Sequence, residues 1–117
     1  MMDNKTRNQL KSLTAINAAI DESWEEILLI QKEMDSYYHD KKYITALNDL
    51  KQKVIHYRYQ KVKICVILYD KIEALEDEQE KRLLKYRYIR GYRWEDIADK
   101  MGYSVRQVFN IHNSALQ

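Results

Sequence analysis

A chain of 117 residues with no proline and only two glycines, Gly91 and Gly102, has few places to turn sharply. Strand-rich folds need turn residues at short intervals, and these are missing. The expectation is an all-α protein. Charged residues make up 32% of the chain, so its apolar side chains must lie in stripes along helices rather than fill one large core. The length suits one domain, or one small domain with a helical extension. Both glycines fall between Leu83 and Leu116, so the sharpest changes of direction are expected there.

From about Asp3 to Met34 the apolar positions Leu10, Leu13, Ile20, Trp24, Ile27 and Met34 follow a helical stripe. Asn17 and Gln31 fill the in-between seam positions, giving alternate steps of three and four over more than three heptads. Ile16 and Ile30 flank the polar seam positions. A helix of that length is about 45–50 Å long and cannot bury such a stripe alone. The YYHDKKY run, Tyr37 to Tyr43, is the expected break, with Asp40 or Ser36 as the cap of the helix that follows. That second helix is expected from about Lys41 to Leu75, with the stripe Leu47, Leu50, Val54, Tyr57, Ile64, Leu68 and Leu75 interrupted by Lys61 and Lys71. Within it VKICVILY, Val62 to Tyr69, is apolar at all but one position, Lys63, which implies burial on more than one side. An antiparallel hairpin dimerised through this patch would satisfy it, as would packing of the patch on the C-terminal part. The acidic run EALEDEQE, Glu73 to Glu80, separates residues 1–78, the hairpin or coiled-coil region for oligomerisation or partner docking, from residues 79–117.

The second part, LLKYRYIRGYRWEDIADKMGYSVRQVFNIHNSAL from Leu83, reads as three short helices, the last two joined by the tight turn of a helix-turn-helix. Ala98 is small enough for two helices to cross closely. Gly102 supplies the positive φ that ends one helix without a Cβ penalty. Ile97, Met101, Val108 and Ile111 fill the shared core. Ser104 can cap the next helix, with Gln107 three residues on completing a capping box. Val108, Ile111 and Ala115 face inward with Val105 at the edge, and Trp94 shares the buried face of Ile97 and Ala98.

The charge balance is uneven. Residues 1–80 carry 12 Lys/Arg against 15 Asp/Glu, a balance of −3, whereas residues 81–117 carry 8 against 3, a balance of +5. A basic C-terminal part lowers the electrostatic cost of approaching phosphates. Cys65 is the only cysteine, which fits a reducing compartment. The N-terminal MMDNKTRNQLK lacks the apolar run of a signal peptide, and no segment approaches the roughly 20 apolar residues of a membrane span. A cytoplasmic protein with no membrane partner is expected.

With these residues in hand, positions 83–116 resemble region four of bacterial sigma factors, and more closely the small phage-encoded regulators built on that module, including the ArpU-like late-gene activators. The likeness lies in RYIRGYRWEDIADKMGYSVRQVFNIHNSAL and covers about a third of the chain. It implies a transcription regulator of a phage or other mobile element, binding double-stranded DNA, with RNA polymerase as a possible further partner. Sigma recognition helices usually carry several charged side chains at exposed positions. Here Arg106 is the only Lys or Arg from Ser104 to Gln117.

The outward face of the last helix holds Arg106, Phe109, Asn110 and Asn113, the candidate base contacts. A guanidinium fork matches guanine O6 and N7, Asn110 matches adenine N6 and N7, and Phe109 can pack on a thymine methyl or fold back over Tyr103 or the first helix of the unit. Candidate phosphate contacts are Arg90, Arg93, Lys100 and Ser104. Arg87 can instead pair with an acid inside the unit. His39, His56 and His112 are far apart in sequence and none lies three or four residues from a Cys or another His, so no metal is expected. Neither glycine belongs to a phosphate-cradling loop. No catalysis and no cofactor are expected. Two other classes fit the same pattern: a phage protein-interaction module that adapts or inhibits a host protein, and a DNA-packaging small subunit, which would assemble as a large ring.

Overall fold

The computed structural model describes residues 2–36 and 41–117, and everything described is helix, turn or short connection, with no strand. Helix α1 spans Asn4–Ser36 and α2 spans Lys41–Glu73. Helix α3, Glu78–Leu84, continues into a π-helical turn at Lys85–Ile89. Helices α4, Trp94–Met101, and α5, Val105–Leu116, complete the chain. The class is therefore all-α. The expected break begins at Tyr37, and its first four residues, with the capping role of Asp40, lie outside the described residues; α2 begins at Lys41, where the second helix was expected. Among the described residues no helix is long and apolar enough to cross a membrane.

The contacts gather into two compact units, residues 1–14 with 63–117, and residues 15–62. In the first, the buried side chains of Leu10 and Leu13 from α1 and Leu68 and Ile72 from α2 join Leu83, Leu84, Tyr88, Ile97, Ala98, Val108 and Ala115 in one core. The position expected to separate two regions, near residue 78, falls inside this unit. Asp3 opens α1 by accepting a hydrogen bond from the Thr6 amide (2.8 Å), and hydrogen bonding to the Thr6 side chain first, then to this amide, holds its carboxyl below the usual range. Thr6 is itself buried and accepts from Lys71 Nζ at 2.9 Å. The Met2 amide donates to the Gln117 carbonyl at 3.2 Å, and the Arg7 guanidinium donates to the Leu116 carbonyl. A cation and an amide thus meet the carbonyl end of α5, where the helix dipole favours positive charge.

In the second unit Ile27, Leu50 and Val54 are buried, with Ile30 and Leu47 packed against them. Ser23 is buried here while Trp24 is 40% exposed. The stripe expected through Trp24 is therefore displaced by one residue: the inward side chains Ile20, Ser23, Ile27 and Ile30 keep three- and four-residue steps. The VKICVILY patch divides. Leu68, Ile64 and Cys65 contribute to the core shared with α3–α5, whereas Val62, Val66, Ile67 and Tyr69 stay exposed.

Helix ends follow local chemistry. The Asp77 carboxylate accepts from the Gln79 and Glu80 amides at 2.8 and 3.1 Å, capping α3. Gly91, at φ 72°, turns the chain between the π-helical segment and α4, and Gly102, also at φ 72°, ends α4. A Cβ at residue 102 would meet nothing within 4 Å, so only its backbone angle favours glycine. Gly102→Ala is expected to lower the unfolding free energy by about 1–2 kcal/mol, and Gly102→Asn by less, because Asn tolerates the left-handed region better. Urea unfolding of the three proteins measures this. Equal stability of Gly102→Ala and the parent would show that the turn relaxes to another geometry.

Candidate nucleic-acid interface

Helix α5 is anchored on one side and open on the other. Val108 and Ala115 are buried and Ile111 and Val105 half-buried, packed against α3 and α4. Its first turn is fixed by a complete capping box: the Ser104 hydroxyl accepts from the Gln107 amide (3.2 Å) and the Gln107 side chain accepts from the Ser104 amide (2.9 Å). Two of the four unpaired amides at this helix end are thus satisfied internally. Gln107 is held by its capping role.

The four side chains expected on the outward face are all exposed, but they do not form one set. At 100° per residue Arg106, Asn110 and Asn113 lie close together opposite Val108. Phe109 lies to one side, its ring edge-on to Trp94 with 5.0 Å between centroids, and 42% exposed. It folds back onto α4 as well as facing solvent. The candidate phosphate contacts also stand exposed: Arg90 and Arg93 in the connection before α4, Lys100 in the last turn of α4, and Ser104 at the start of α5. The Lys100 ammonium lies 5.0 Å from the centre of the Tyr92 ring.

Around Trp94 the structure assembles a cluster. The half-buried indole meets the rings of Phe109 and His112 edge-on, and the Arg87 guanidinium lies 4.4 Å from its centre. Arg87 donates to the Tyr92 carbonyl at 2.9 Å, so its partners are a backbone oxygen and an aromatic face rather than an acid. The Tyr88 hydroxyl and His112 Nε2 are 2.6 Å apart, a hydrogen bond whose donor is set by the imidazole tautomer. Burial pushes the Tyr88 pKa up. Burial, then the Arg87 charge, pull the His112 pKa below 6.5, against an opposing hydrogen bond with Asn113. The sequence signal for this cluster was the three-residue step from Phe109 to His112, which sets both rings on one side of α5.

The other side of α5 is acidic. The Ser114 hydroxyl donates to Glu80 at 2.7 Å, and a shallow groove of about 340 Å³ is lined by Asp77, Gln79, Glu80, Tyr103, Asn110, Ile111 and Ser114. Asn110 thus sits between the outward face and a carboxylate-bearing groove. Among the described residues no three His, Cys, Asp or Glu side chains gather as a metal site. No protein-family model, curated protein or solved structure matches this chain significantly.

The half-buried His112 gives a pH test. Above about pH 6.5 the ring is neutral in the folded and unfolded chain alike. Below it the unfolded ring takes up a proton that the folded ring resists, so stability falls until the folded ring also titrates. Urea unfolding between about pH 7.5 and 5 is expected to show this decline, with a shallower slope in His112→Gln. Identical slopes would exclude His112 as its source.

Proposed function

We propose that this chain is a sequence-specific DNA-binding transcription regulator of phage or mobile-element origin. In this reading α4 and α5 act as a helix-turn-helix of the sigma region-four kind, with α5 entering the major groove. One observation carries it: Arg106, Asn110 and Asn113 share the exposed face of a helix whose opposite face is buried and whose N-terminus is capped. Side chains on such a helix meet base edges with little further ordering. The +5 balance of residues 81–117 adds sequence-independent attraction to phosphates, with Arg90, Arg93, Lys100 and Ser104 as the contacts. A single Arg in the recognition segment makes few base contacts. Useful affinity therefore calls for two copies on two half-sites or tethering to RNA polymerase. A cytoplasmic location follows from this role.

A second reading is favoured by the acidic groove beside Asn110: the same surface could receive a basic side chain of a host protein, as an adaptor or inhibitor would. Selection of bound sequences from random DNA, followed by gel-shift titration, separates the two. The regulator is expected to bind a selected site with an affinity that drops steeply with salt. Arg106→Ala should lose about 1–3 kcal/mol on that site and much less on random DNA. Equal losses on both would reduce Arg106 to a phosphate contact. No DNA retention at low salt, with capture of a stoichiometric protein partner, would replace the regulator by the interaction module.

A further inference from the structure

Within residues 15–62 both helices carry a second apolar strip that the unit's own core leaves uncovered. On α2, Ile55, Tyr59 and Val62 follow four- and three-residue steps and are 58%, 63% and 60% exposed. On α1, Trp24 and Leu28 lie one turn apart and are likewise exposed. Steps of three and four are the spacing with which a helix packs against another helix.

The charges beside the two strips are opposite. Residues 15–36 carry six Asp/Glu and one Lys, a balance of −5, whereas residues 41–62 carry six Lys/Arg and one Asp, a balance of +5. Asp21 and Glu25 flank the α1 strip and stand exposed, and Lys51 and Arg58 flank the α2 strip and stand exposed. A second copy laid α2 on α2 would set like charges together. Laid α1 on α2, it sets unlike charges together twice over, because a two-fold axis repeats each contact.

We infer that two copies of this chain pair through residues 15–62, the exposed strip of α2 in each copy lying along that of α1 in the other, with Asp21 and Glu25 facing Lys51 and Arg58 across the join. The pairing makes a four-helix arrangement in which Ile55, Tyr59, Val62, Trp24 and Leu28 leave water. It uses a different surface from α5 and holds whether or not α5 reads DNA.

Sedimentation equilibrium of the full chain, with circular dichroism as a check on helix content, tests it. The parent is expected to be a dimer at micromolar concentration. Val62→Glu alters an exposed position and should keep the helix content while raising the dimer dissociation constant by about tenfold or more. Arg58→Glu should weaken the dimer, and adding Asp21→Arg should restore it, since the reversed pair attracts again. A monomer at every concentration, a ring-sized assembly, or a dimer indifferent to Val62→Glu would overturn the inference. So would a dimer that Arg58→Glu strengthens, the mark of α2 lying on α2.

Discussion

The short helices α3, α4 and α5 depend on a wall they do not themselves supply. At 7, 8 and 12 residues they are shorter than, or at the lower limit of, the roughly 12–15 residues at which an isolated helix becomes marginal in water. Their persistence rests on burying Leu83, Leu84, Ile97 and Val108 against Leu10, Leu13, Leu68 and Ile72. Two further links tie the same elements. Met2 and Arg7 satisfy the carbonyl end of α5, and the Lys85 ammonium meets the Glu73 carboxylate at the end of α2. Each partner draws the other's pKa toward the charged form, with Glu73 lowered and Lys85 raised. The face of α5 that points outward is therefore set partly by residues more than a hundred positions away in sequence.

That separation explains what could be read from the residues alone and what could not. The helical class, the bounds of α1 and α2 to within about two residues, the turn at Gly102 and the capping box at Ser104 all rest on local rules, and local rules are legible. The buried positions Val108 and Ala115 follow from a single helix period. The docking of Met2, Thr6 and Arg7 has no local signature, because nothing in MMDNKTR distinguishes a solvated start from one that closes a distant helix. The exchange of Ser23 for Trp24 on the inner face is a tertiary choice of the same kind. A large indole is the stronger hydrophobic signal, yet a small hydroxyl lies inward.

The cluster around Trp94 was half legible. Its indole could be assigned to the interior from its spacing to Ile97 and Ala98, and it is half-buried. Its role is more specific than filling. Phe109, His112 and Arg87 each pack on the ring, so the π-helical turn and the middle of α5 are held through one side chain at the start of α4. Phe109 is thereby bound to the protein's own scaffold along one edge, which on the regulator reading would shorten its reach toward a thymine methyl. Arg87, a cation in a basic segment, has its guanidinium engaged by the Tyr92 carbonyl and the indole, which leaves Arg90 and Arg93, in the connection before α4, as exposed cations.

Charge around α5 is graded along its length, and on the regulator reading that gradient ranks the base contacts. Arg106 lies in the first turn, where the helix dipole is positive. Glu80 bonds Ser114 near the other end, and Asp77 and Glu80 line the groove that Asn110 borders. Phosphates run along both walls of a major groove about 12 Å wide, so the acidic end must stay further from them than the basic end. The helix would then enter by its N-terminal turn, as recognition helices of this kind do. Arg106 would reach deepest, Asn110 would follow with its amide turned from the groove toward a base, and Asn113, whose side chain also acts on His112, would contribute least.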